Sequence, residues 1–362
     1  MKRTTILRIA VAGLGRIAWQ YHLPRIVDDS RFQLVAVADP LPERLVEARE
    51  KFAVKSVYRQ FSSMLEHEDL DLLVIASPTC FHMEQILQAF AHGVDVICEK
   101  PLACSLQDAK KISRARSVEQ RKIMIFQPHR LSPEAVTLKT VLESGILGRI
   151  FMSRKTYSGF NRRNDWQAFA GYGGGMLNNY GSHFIDQFIF LFGGEFKSVN
   201  ALLRRLVSEG DAEDFVKLQA VNAHDIILDL EINMANAFPG QTWEICGTCG
   251  SALYAPDGWR LRYFKPSQLE ARKMQSGLAA EGRSYPEESI PWVNENIPFK
   301  NVPCSNFYEH CYRYFALDSQ PLVPFEDTME VMEIMERCRK HEISDTKIKN
   351  FAETQIQQGK NE

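Results

Sequence analysis

Hydrophobic positions in the first third of the chain come in short continuous blocks separated by polar stretches. These blocks are ILRIAVA at 6–12, FQLVAVAD at 32–39, LDLLVIAS at 70–77, VDVIC at 94–98 and KIMIF at 122–126. Runs of this length suit parallel strands that are buried on both faces. The stretches between them, including 105–119, are compatible with helices. The pattern therefore predicts an α/β domain in which the strands form a doubly wound parallel sheet.

The simple alternation stops near His129. The runs RIFMSRKTYSGF at 149–160 and SVNALLRRLVS at 198–208 predict strands of a different sheet, and the stretch at 172–194 reads as a glycine loop followed by an apolar helix. We place the domain boundary near residue 128. Residues 1–128 are predicted to form the first domain, residues 129–341 a second α+β domain, and residues 342–362 a polar tail.

A glycine turn follows the first apolar block at once. Gly13, Gly15 and Ala18 form the pattern G-x-G-x-x-A between a predicted strand and a predicted helix. Gly13 would permit the tight turn, Gly15 would let the backbone approach a pyrophosphate, and Ala18 would allow close helix packing. The free N–H groups at the helix start favour phosphates. The unit predicts a dinucleotide site, and the alternative is a glycine turn without a ligand.

Asp39 closes the second apolar block. It stands at roughly the ~20-residue spacing from the glycines at which an acidic side chain accepts hydrogen bonds from the adenosine ribose. Its carboxylate would repel a 2′-phosphate, which favours NAD over NADP. Arg44 lies a few residues further on and keeps NADP use possible.

The composition of the chain argues against nucleic acid and membranes as partners. Lys and Arg total 43 against 45 Asp and Glu, so the chain lacks the basic excess that a nucleic-acid-binding protein needs. No apolar stretch approaches the ~18 residues of a membrane span, and the start of the chain lacks a signal-peptide pattern. We expect a cytoplasmic protein with no membrane partner. Cys246 and Cys249 form a close pair without a second pair, so no metal site is expected.

Several motifs together resemble the glucose-fructose oxidoreductase, inositol dehydrogenase and rhizopine-catabolism family, known as Gfo/Idh/MocA. They are AGLGRIA at 12–18, SPTCFH at 77–82, EKPLA at 99–103, SGILG at 144–148, GGGMLNNYGSHFID at 173–186 and ICGTCGSALY at 245–254. The resemblance implies a Rossmann domain and a second domain with a large, open, mostly antiparallel sheet. It also implies homodimers or homotetramers formed through that sheet, and an active site between the domains.

The resemblance carries cofactor contacts over to matching positions of this chain. The cofactor is expected to be NAD, with NADP less favoured. The predicted cofactor-binding residues are Gly13, Gly15, Arg16, Ile17, Asp39, Ser77, Pro78, Thr79, His82, Glu99 and Lys100. In the family, the lysine of EKP reaches the nicotinamide and the substrate, and its peptide bond to proline is often cis.

Four residues are the predicted catalytic group. Oxidation of a hydroxyl needs a base for the O–H proton, and His183 is the candidate. Lys100 would hold the developing alkoxide. Asn179, His183 and Asp186 share one helix face, so Asp186 or Asn179 would orient the imidazole. Many dehydrogenases of the family carry Asp where this chain has Asn179, and an amide cannot stabilise a histidinium by charge.

Further residues are candidates for the substrate pocket, where Trp166 could stack on a sugar ring and polar groups could bind hydroxyls. For each the alternative is a packing or surface role. The predicted substrate contacts are Arg130, Tyr157, Arg163, Asp165 and Trp166, together with Asn179 and His183.

The function that these features favour is an NAD-dependent oxidoreductase that oxidises a secondary hydroxyl of a sugar, cyclitol or related polyol. One alternative is an NAD-dependent glycosidase that oxidises its sugar transiently. Another is a non-catalytic dinucleotide-binding sensor or regulator. The identity of the sugar depends on loop geometry, which the sequence does not specify.

Overall fold

A parallel sheet organises the N-terminal part of the protein. The computed structural model describes residues 6–272, 274, 287–299 and 306–340. Within them the first sheet contains β1 (Leu7–Ala12), β2 (Phe32–Ala38), β3 (Ser56–Tyr58), β4 (Leu72–Ile75), β5 (Asp95–Cys98) and β6 (Ile123–Ile125). The strand order is β3-β2-β1-β4-β5-β6 with every pair parallel. The predicted doubly wound fold is confirmed.

The apolar blocks are buried because helices cover both faces of this sheet. The helices are α1 (Leu23–Val27), which continues a π-helical turn at Ala18–His22, α2 (Pro42–Phe52), α3 (Phe61–His67), α4 (His82–Ala91) and α5 (Leu106–Val118). Ser105 caps α5 by accepting a hydrogen bond of 3.1 Å from the Asp108 N–H. Strand β3 has no apolar block of its own, since it lies half-buried at the sheet edge.

The second sheet is larger and mostly antiparallel. Its described strands are β7 (Ile150–Phe160), β8 (Ser198–Arg204), β9 (Phe215–Val221), β10 (Ile227–Asn233), β11 (Ala235–Gly247), β12 (Gly250–Ala255), β13 (Gly258–Tyr263) and β14 (Val293–Pro298). They run in the order β14-β13-β12-β11-β7-β10-β9-β8, and the β7–β10 pair is parallel. The second sheet confirms the predicted fold class.

Helices cover one face of the second sheet. They are α6 (Pro133–Glu143), α7 (Ser182–Phe192) and α9 (Phe325–Lys340), and their apolar side chains share one core with the strands. The opposite face carries exposed side chains such as Leu202 and Leu253. No helix in the described parts of the chain is both long and apolar enough to cross a membrane.

The chain returns to the first domain near its C-terminus. Helix α8 (Phe307–Leu317) buries Phe307 and Tyr308 in the same core as Ile9 and Val11 of β1. Helix α8 thus lies within residues 129–341 but packs on the first domain, and the domain bounds stay a prediction. An aromatic helix face needs an apolar surface to cover it, and here the first sheet supplies that surface. The predicted tail at 342–362 lies outside the described residues.

Candidate active site

Lys100 lies at the junction of the two domains. It follows β5 at the carboxyl edge of the first sheet, where ligands of doubly wound folds bind. Its peptide bond to Pro101 is cis. The Lys100 Nζ donates hydrogen bonds to the main-chain oxygen of Asn179 at 2.7 Å and to the side-chain Oδ1 of the same residue at 3.0 Å. The structure therefore brings two of the predicted catalytic residues together.

The surroundings of Lys100 disfavour its charge. Burial lowers the pKa of Lys100 to about 8. The Glu99 carboxylate opposes this shift, whereas the charge of Arg163 adds to it. A neutral amine has two hydrogens, and the two oxygens of Asn179 match them, which leaves the third tetrahedral position of Nζ for a ligand. A lysine with a pKa near 8 is suited to exchanging protons close to physiological pH.

His183 is buried on α7 and its hydrogen bonds define its tautomer. Its Nδ1 lies 2.5 Å from the Oε1 of Gln127, and the Gln127 Nε2 donates to the main-chain oxygen of Ser182 at 3.4 Å. A side-chain oxygen of an amide only accepts, so Nδ1 carries the hydrogen. The Nε2 atom of His183 is then an unprotonated hydrogen-bond acceptor.

A stacked histidine lies against His183. The rings of His129 and His183 are 4.1 Å apart at an angle of 8°. Burial lowers the pKa of His183 well below 6.5, and the charges of Lys100, His129 and Lys155 act in the same direction. Burial also lowers the pKa of His129 to about 4. Both imidazoles are therefore neutral at physiological pH.

Lys155, on β7, is a third basic residue whose charge acts on His183. Its Nζ donates to the Gln187 Oε1 at 2.7 Å, and the Gln187 Nε2 donates to the main-chain oxygen of His129 at 2.8 Å. The same Nζ lies 3.7 Å from the ring centroid of Trp243. Burial lowers the pKa of Lys155 to about 7.

Asp186 and Arg130 form a structural ion pair, which corrects their predicted roles. The Asp186 carboxylate accepts from the Arg130 Nε at 2.8 Å and Nη2 at 2.7 Å, so it does not orient His183. Gln127 makes that contact instead. Arg130 also pairs with Asp327 at 2.9 Å and is only 2% exposed, so it does not contact substrate. A buried guanidinium needs carboxylate partners, and these two satisfy it.

The glycine turn has the shape that a dinucleotide requires. Gly13 has a φ of 87°, and a Cβ added there would lie 2.5 Å from the main-chain nitrogen of Ser77. A Cβ added at Gly15 would meet nothing within 4 Å, so the backbone faces open space there. Arg16 is exposed and Ile17 is half-buried at the start of the helical turn. The turn fits a pyrophosphate at its open side.

Asp39 is already engaged by protein groups. Its carboxylate accepts from the Leu14 N–H at 2.7 Å and the Leu41 N–H at 3.0 Å. Arg44 lies 3.3 Å away and forms an ion pair with it. The carboxylate is therefore held where an adenosine ribose would lie, but Arg44 offsets its repulsion of a 2′-phosphate.

His82 supports the cofactor loop from behind, which corrects its predicted position as a lining residue. It is 1% exposed, with Nδ1 2.9 Å from the Pro101 oxygen and Nε2 3.0 Å from the Ser77 oxygen. Thr79 is also buried, and a Cβ added at Gly173 would lie 2.6 Å from its Cβ. The glycine run of the second domain thus packs directly on the turn that begins with Ser77 and Pro78.

Glu99 points into the first domain rather than toward a cofactor. Its Oε1 lies 3.0 Å from the Nε2 of buried His22, whose Nδ1 lies 2.8 Å from the Tyr308 hydroxyl. Its Oε2 accepts from the Lys100 N–H at 3.3 Å. This buried series of hydrogen bonds positions the backbone at Lys100.

A cavity of about 290 Å³ lies near the contact between Lys100 and Asn179, since Arg163 on its wall is close enough for its charge to lower the pKa of Lys100. Lys100, Asn179 and His183 are not among the residues that line it. The Tyr157 hydroxyl donates to the Tyr180 hydroxyl at 3.1 Å. Of the predicted substrate residues, Tyr157 and Arg163 line the cavity, whereas Asp165 and Trp166 do not and are exposed. The lining residues are Tyr157, Ser158, Gly159, Phe160, Asn161, Arg163, Met176, Tyr180, Met234 and Pro239.

Two other features lie apart from this site. A cavity of about 780 Å³ between α5 and α9 contains none of the predicted site residues. Within the described residues, no group of three or more His, Cys, Asp or Glu side chains could hold a metal ion. Cys246 and Cys249 are free thiols, and Cys249 lies in the turn between β11 and β12.

Four site residues were not among the sequence predictions: Gln127, His129, Lys155 and Tyr180. Gln127 had a usable signal, because it follows β6 as Lys100 follows β5, and parallel strands end at the same edge. Lys155 had no such sequence signal, since its position in an alternating strand does not reveal which side chains it contacts.

Models of the GFO/IDH/MocA family match both domains. The oxidoreductase family model with an NAD-binding Rossmann fold matches residues 7–127, and the C-terminal domain model of the same family matches residues 135–253. The N-terminal domain is thus an NAD-binding Rossmann domain.

Known proteins are similar to this chain over much of its length. An inositol 2-dehydrogenase from Streptomyces avermitilis is 31% identical over 239 residues, which cover 64% of this chain and 67% of that protein. A D-apiose dehydrogenase from Paraburkholderia graminis is 24% identical over 92% of this chain and 87% of that protein. Matches to some other relatives extend over about half of their length.

The fold is also similar to that of solved structures. The crystal structure of an NAD-binding protein from Listeria innocua has a TM-score of 0.78 at 23% identity, and the match covers 93% of this chain and 97% of that one.

Proposed function

The chain belongs to the Gfo/Idh/MocA family of oxidoreductases, and from this premise we propose that it oxidises a secondary hydroxyl of a sugar, cyclitol or related polyol with NAD. The observation that carries the proposal is the position of Lys100. Its Nζ is held by Asn179 at the domain junction. Arg163, whose charge acts on Lys100, lines a nearby cavity that is large enough for a small polyol.

Lys100 is the base in this proposal. The sequence predicted that role for His183, but among the described residues no carboxylate bonds to its imidazole, and burial above all disfavours its protonated form. Lys100 has a pKa of about 8 and, when neutral, both of its hydrogens are used by Asn179. Its lone pair then accepts the proton of the substrate hydroxyl while the carbon loses hydride.

His183 orients the substrate. Its unprotonated Nε2 accepts a hydrogen bond from a hydroxyl, and Gln127 holds the ring by its Nδ1 hydrogen. When bound, the nicotinamide supplies the hydride acceptor. The protein's own residues supply the turn at Gly13 and Gly15 that fits the pyrophosphate, and Asp39 for the ribose. NAD is the proposed cofactor, with NADP as a weaker one.

The test combines the purified protein with NAD and a panel of sugars, cyclitols and polyols, and follows the absorbance of reduced nicotinamide. The expected result is cofactor reduction by the wild type and none by Lys100→Met. Titration calorimetry with NAD is the control, because Lys100→Met should still bind the cofactor if the variant is correctly folded. Equal reduction by Lys100→Met contradicts the role of Lys100.

The same assay separates the glycosidase alternative. Release of a chromogenic group from an aryl glycoside without net cofactor reduction would favour transient oxidation and contradict a net dehydrogenase. Binding of NAD without any turnover would favour a sensor.

We also propose a homodimer or homotetramer formed through the exposed face of the second sheet. Leu202 and Leu253 are exposed on that face. Light scattering should give a mass above that of one chain, and Leu253→Arg should reduce it. A monomeric wild-type mass contradicts this proposal. A cytoplasmic location stays a prediction from the sequence.

A further inference from the structure

The cavity of about 290 Å³ near Lys100 has one cationic residue and no acidic residue among the described residues that line it. Arg163 is the one charged residue among the described residues that line it. Its side chain is 15% exposed, and its Nε is buried without a hydrogen-bond partner. Asp165, which pairs with Arg163, has both oxygens 3.5 Å from Nη1, at the limit of hydrogen bonding, and its side chain is 48% exposed. The guanidinium is thus incompletely satisfied within the protein.

Further cationic side chains lie near Lys100, although Asp165 pairs with Arg163 and the Glu99 carboxylate raises the pKa of Lys100. Arg163 and Arg16 are both close enough to Lys100 to lower its pKa. The carboxylate of Glu99 is engaged by His22 and the Lys100 N–H. A concave site lined by one sign of charge attracts a ligand of the opposite sign. The potential in this cavity therefore favours an anion.

Arg163 is also held in place before any ligand arrives. Its main-chain oxygen accepts from the Glu209 N–H at 3.0 Å and from the Ser208 hydroxyl at 3.4 Å. The Ser208 N–H in turn donates to the Asp214 carboxylate at 2.6 Å. By contrast, the neighbouring Arg162 is 62% exposed and pairs with Glu209 at the surface. A charged group on a fixed segment needs little reordering to bind a partner.

We propose that the substrate is a sugar acid, in which a carboxylate accompanies the hydroxyl that is oxidised, and that Arg163 binds this carboxylate. The inference rests on the proposed function, because it places the acid and the reacting hydroxyl in the same cavity. A guanidinium matches a planar carboxylate through two parallel N–H groups. The cavity volume of about 290 Å³ suits a small molecule with one such group.

The first experiment compares acids with matched neutral alcohols. The initial rate of NAD reduction is measured for D-gluconate against D-glucitol and for D-glucuronate against D-glucose, with the wild type, Arg163→Gln and Arg162→Gln. We expect kcat/KM for the acid to exceed that for its neutral partner by at least ~10-fold in the wild type. Arg163→Gln should bring this ratio close to one, mainly by raising KM for the acid, and Arg162→Gln should preserve it.

The second experiment does not depend on turnover. Calorimetric titration of D-gluconate and of D-glucitol into the protein saturated with NADH measures binding where no hydride acceptor is present. Tighter binding of gluconate that Arg163→Gln removes supports the inference even if no alcohol is oxidised, in which case the redox proposal alone fails. Equal binding of the two, or a preference that Arg163→Gln leaves unchanged, overturns it. Tighter binding of D-glucitol 6-phosphate than of gluconate overturns the assignment to a carboxylate.

Discussion

Lys100 donates hydrogen bonds to both oxygens of Asn179, one on the main chain and one on the side chain. This pairing gives a reason for the amide that replaces the usual aspartate of the family. A carboxylate at this position would stabilise the ammonium form of Lys100, whereas an amide satisfies two hydrogens without adding charge. Burial lowers the pKa of Lys100 to about 8, and the amide adds no negative charge that would oppose this shift. Asn179 therefore acts on the lysine rather than on His183.

Removal of Arg130 should destabilise the fold rather than alter substrate binding. Arg130→Met leaves the buried Asp186 without its bidentate partner, and the expected cost is ~3 to 5 kcal/mol of unfolding free energy. Chemical denaturation measures it. Arg154→Met is the matched control, because that arginine is half-exposed and its ion pairs should contribute less than ~1 kcal/mol. Recovery of stability in Arg130→Met/Asp186→Leu would support the account, and a wild-type midpoint for Arg130→Met would refute it.

Gly13 and Gly15 should respond differently to alanine. Gly13→Ala forces a side chain into a positive φ and within 2.5 Å of the Ser77 backbone, so it should lower the unfolding temperature and abolish NAD binding. Gly15→Ala meets no atom within 4 Å and should fold like the wild type. Its methyl group occupies the space proposed for the pyrophosphate, so its NAD affinity should fall by at least ~10-fold. Thermal melts and calorimetry check both variants, and normal NAD affinity in Gly15→Ala would argue against this cradle.

The features that could be predicted from sequence are those encoded locally. Helices cover both faces of the first sheet, so its central strands must be apolar at every position. The continuous apolar blocks of β1 and β2 therefore predict buried parallel strands. The turn at Gly13 needs a residue that tolerates positive φ. The position of Lys100 follows from its place directly after β5, since parallel strands end at one edge of the sheet.

The contacts that could not be predicted join residues far apart in the chain. Lys100 meets Asn179, and His22 meets Tyr308, and neither spacing is visible in a periodic pattern. The shared helix face of His183 and Asp186 was a sound expectation for an isolated helix. Both residues do lie three apart on α7, but Asp186 pairs with a buried arginine outside that helix, which the helix pattern cannot reveal.

The charge pair of Asp39 and Arg44 should set cofactor preference. Asp39→Ala removes the acceptor of the Leu14 N–H and the proposed ribose contact, so NAD affinity should fall by ~10-fold or more while NADP affinity changes less. Arg44→Ala should weaken NADP more than NAD, because the 2′-phosphate loses its cation. Titration calorimetry with both cofactors measures the ratio, and Arg49→Ala, an exposed arginine on the same helix, is the control. A wild type that binds NADP more tightly than NAD would overturn the proposed preference.

Gln127 should matter through the tautomer of His183. Gln127→Leu removes the acceptor for the Nδ1 hydrogen, so the ring loses the contact that keeps Nε2 free. The expected result is a drop in kcat of ~10- to 100-fold with NAD affinity unchanged. Gln127→Glu retains the acceptor but adds charge, which should raise the pKa of His183. NMR of the His183 ring nitrogens as a function of pH would measure this rise in pKa. An unchanged kcat for Gln127→Leu would contradict an orienting role for Gln127.

The most direct test of Lys100 as the base is the pH dependence of kcat/KM from about pH 6 to about pH 10, measured with the polyol or sugar acid that gives the highest rate. For the wild type we expect kcat/KM to rise with pH through a midpoint of about 8, because neutral Lys100 accepts the proton. In Asn179→Asp, a carboxylate beside Nζ should move that midpoint upward by ~1 unit or more, whereas Asn200→Asp on the exposed edge of β8 should leave it in place. A wild-type kcat/KM that falls above about pH 8, or a midpoint that Asn179→Asp does not move, would contradict the account.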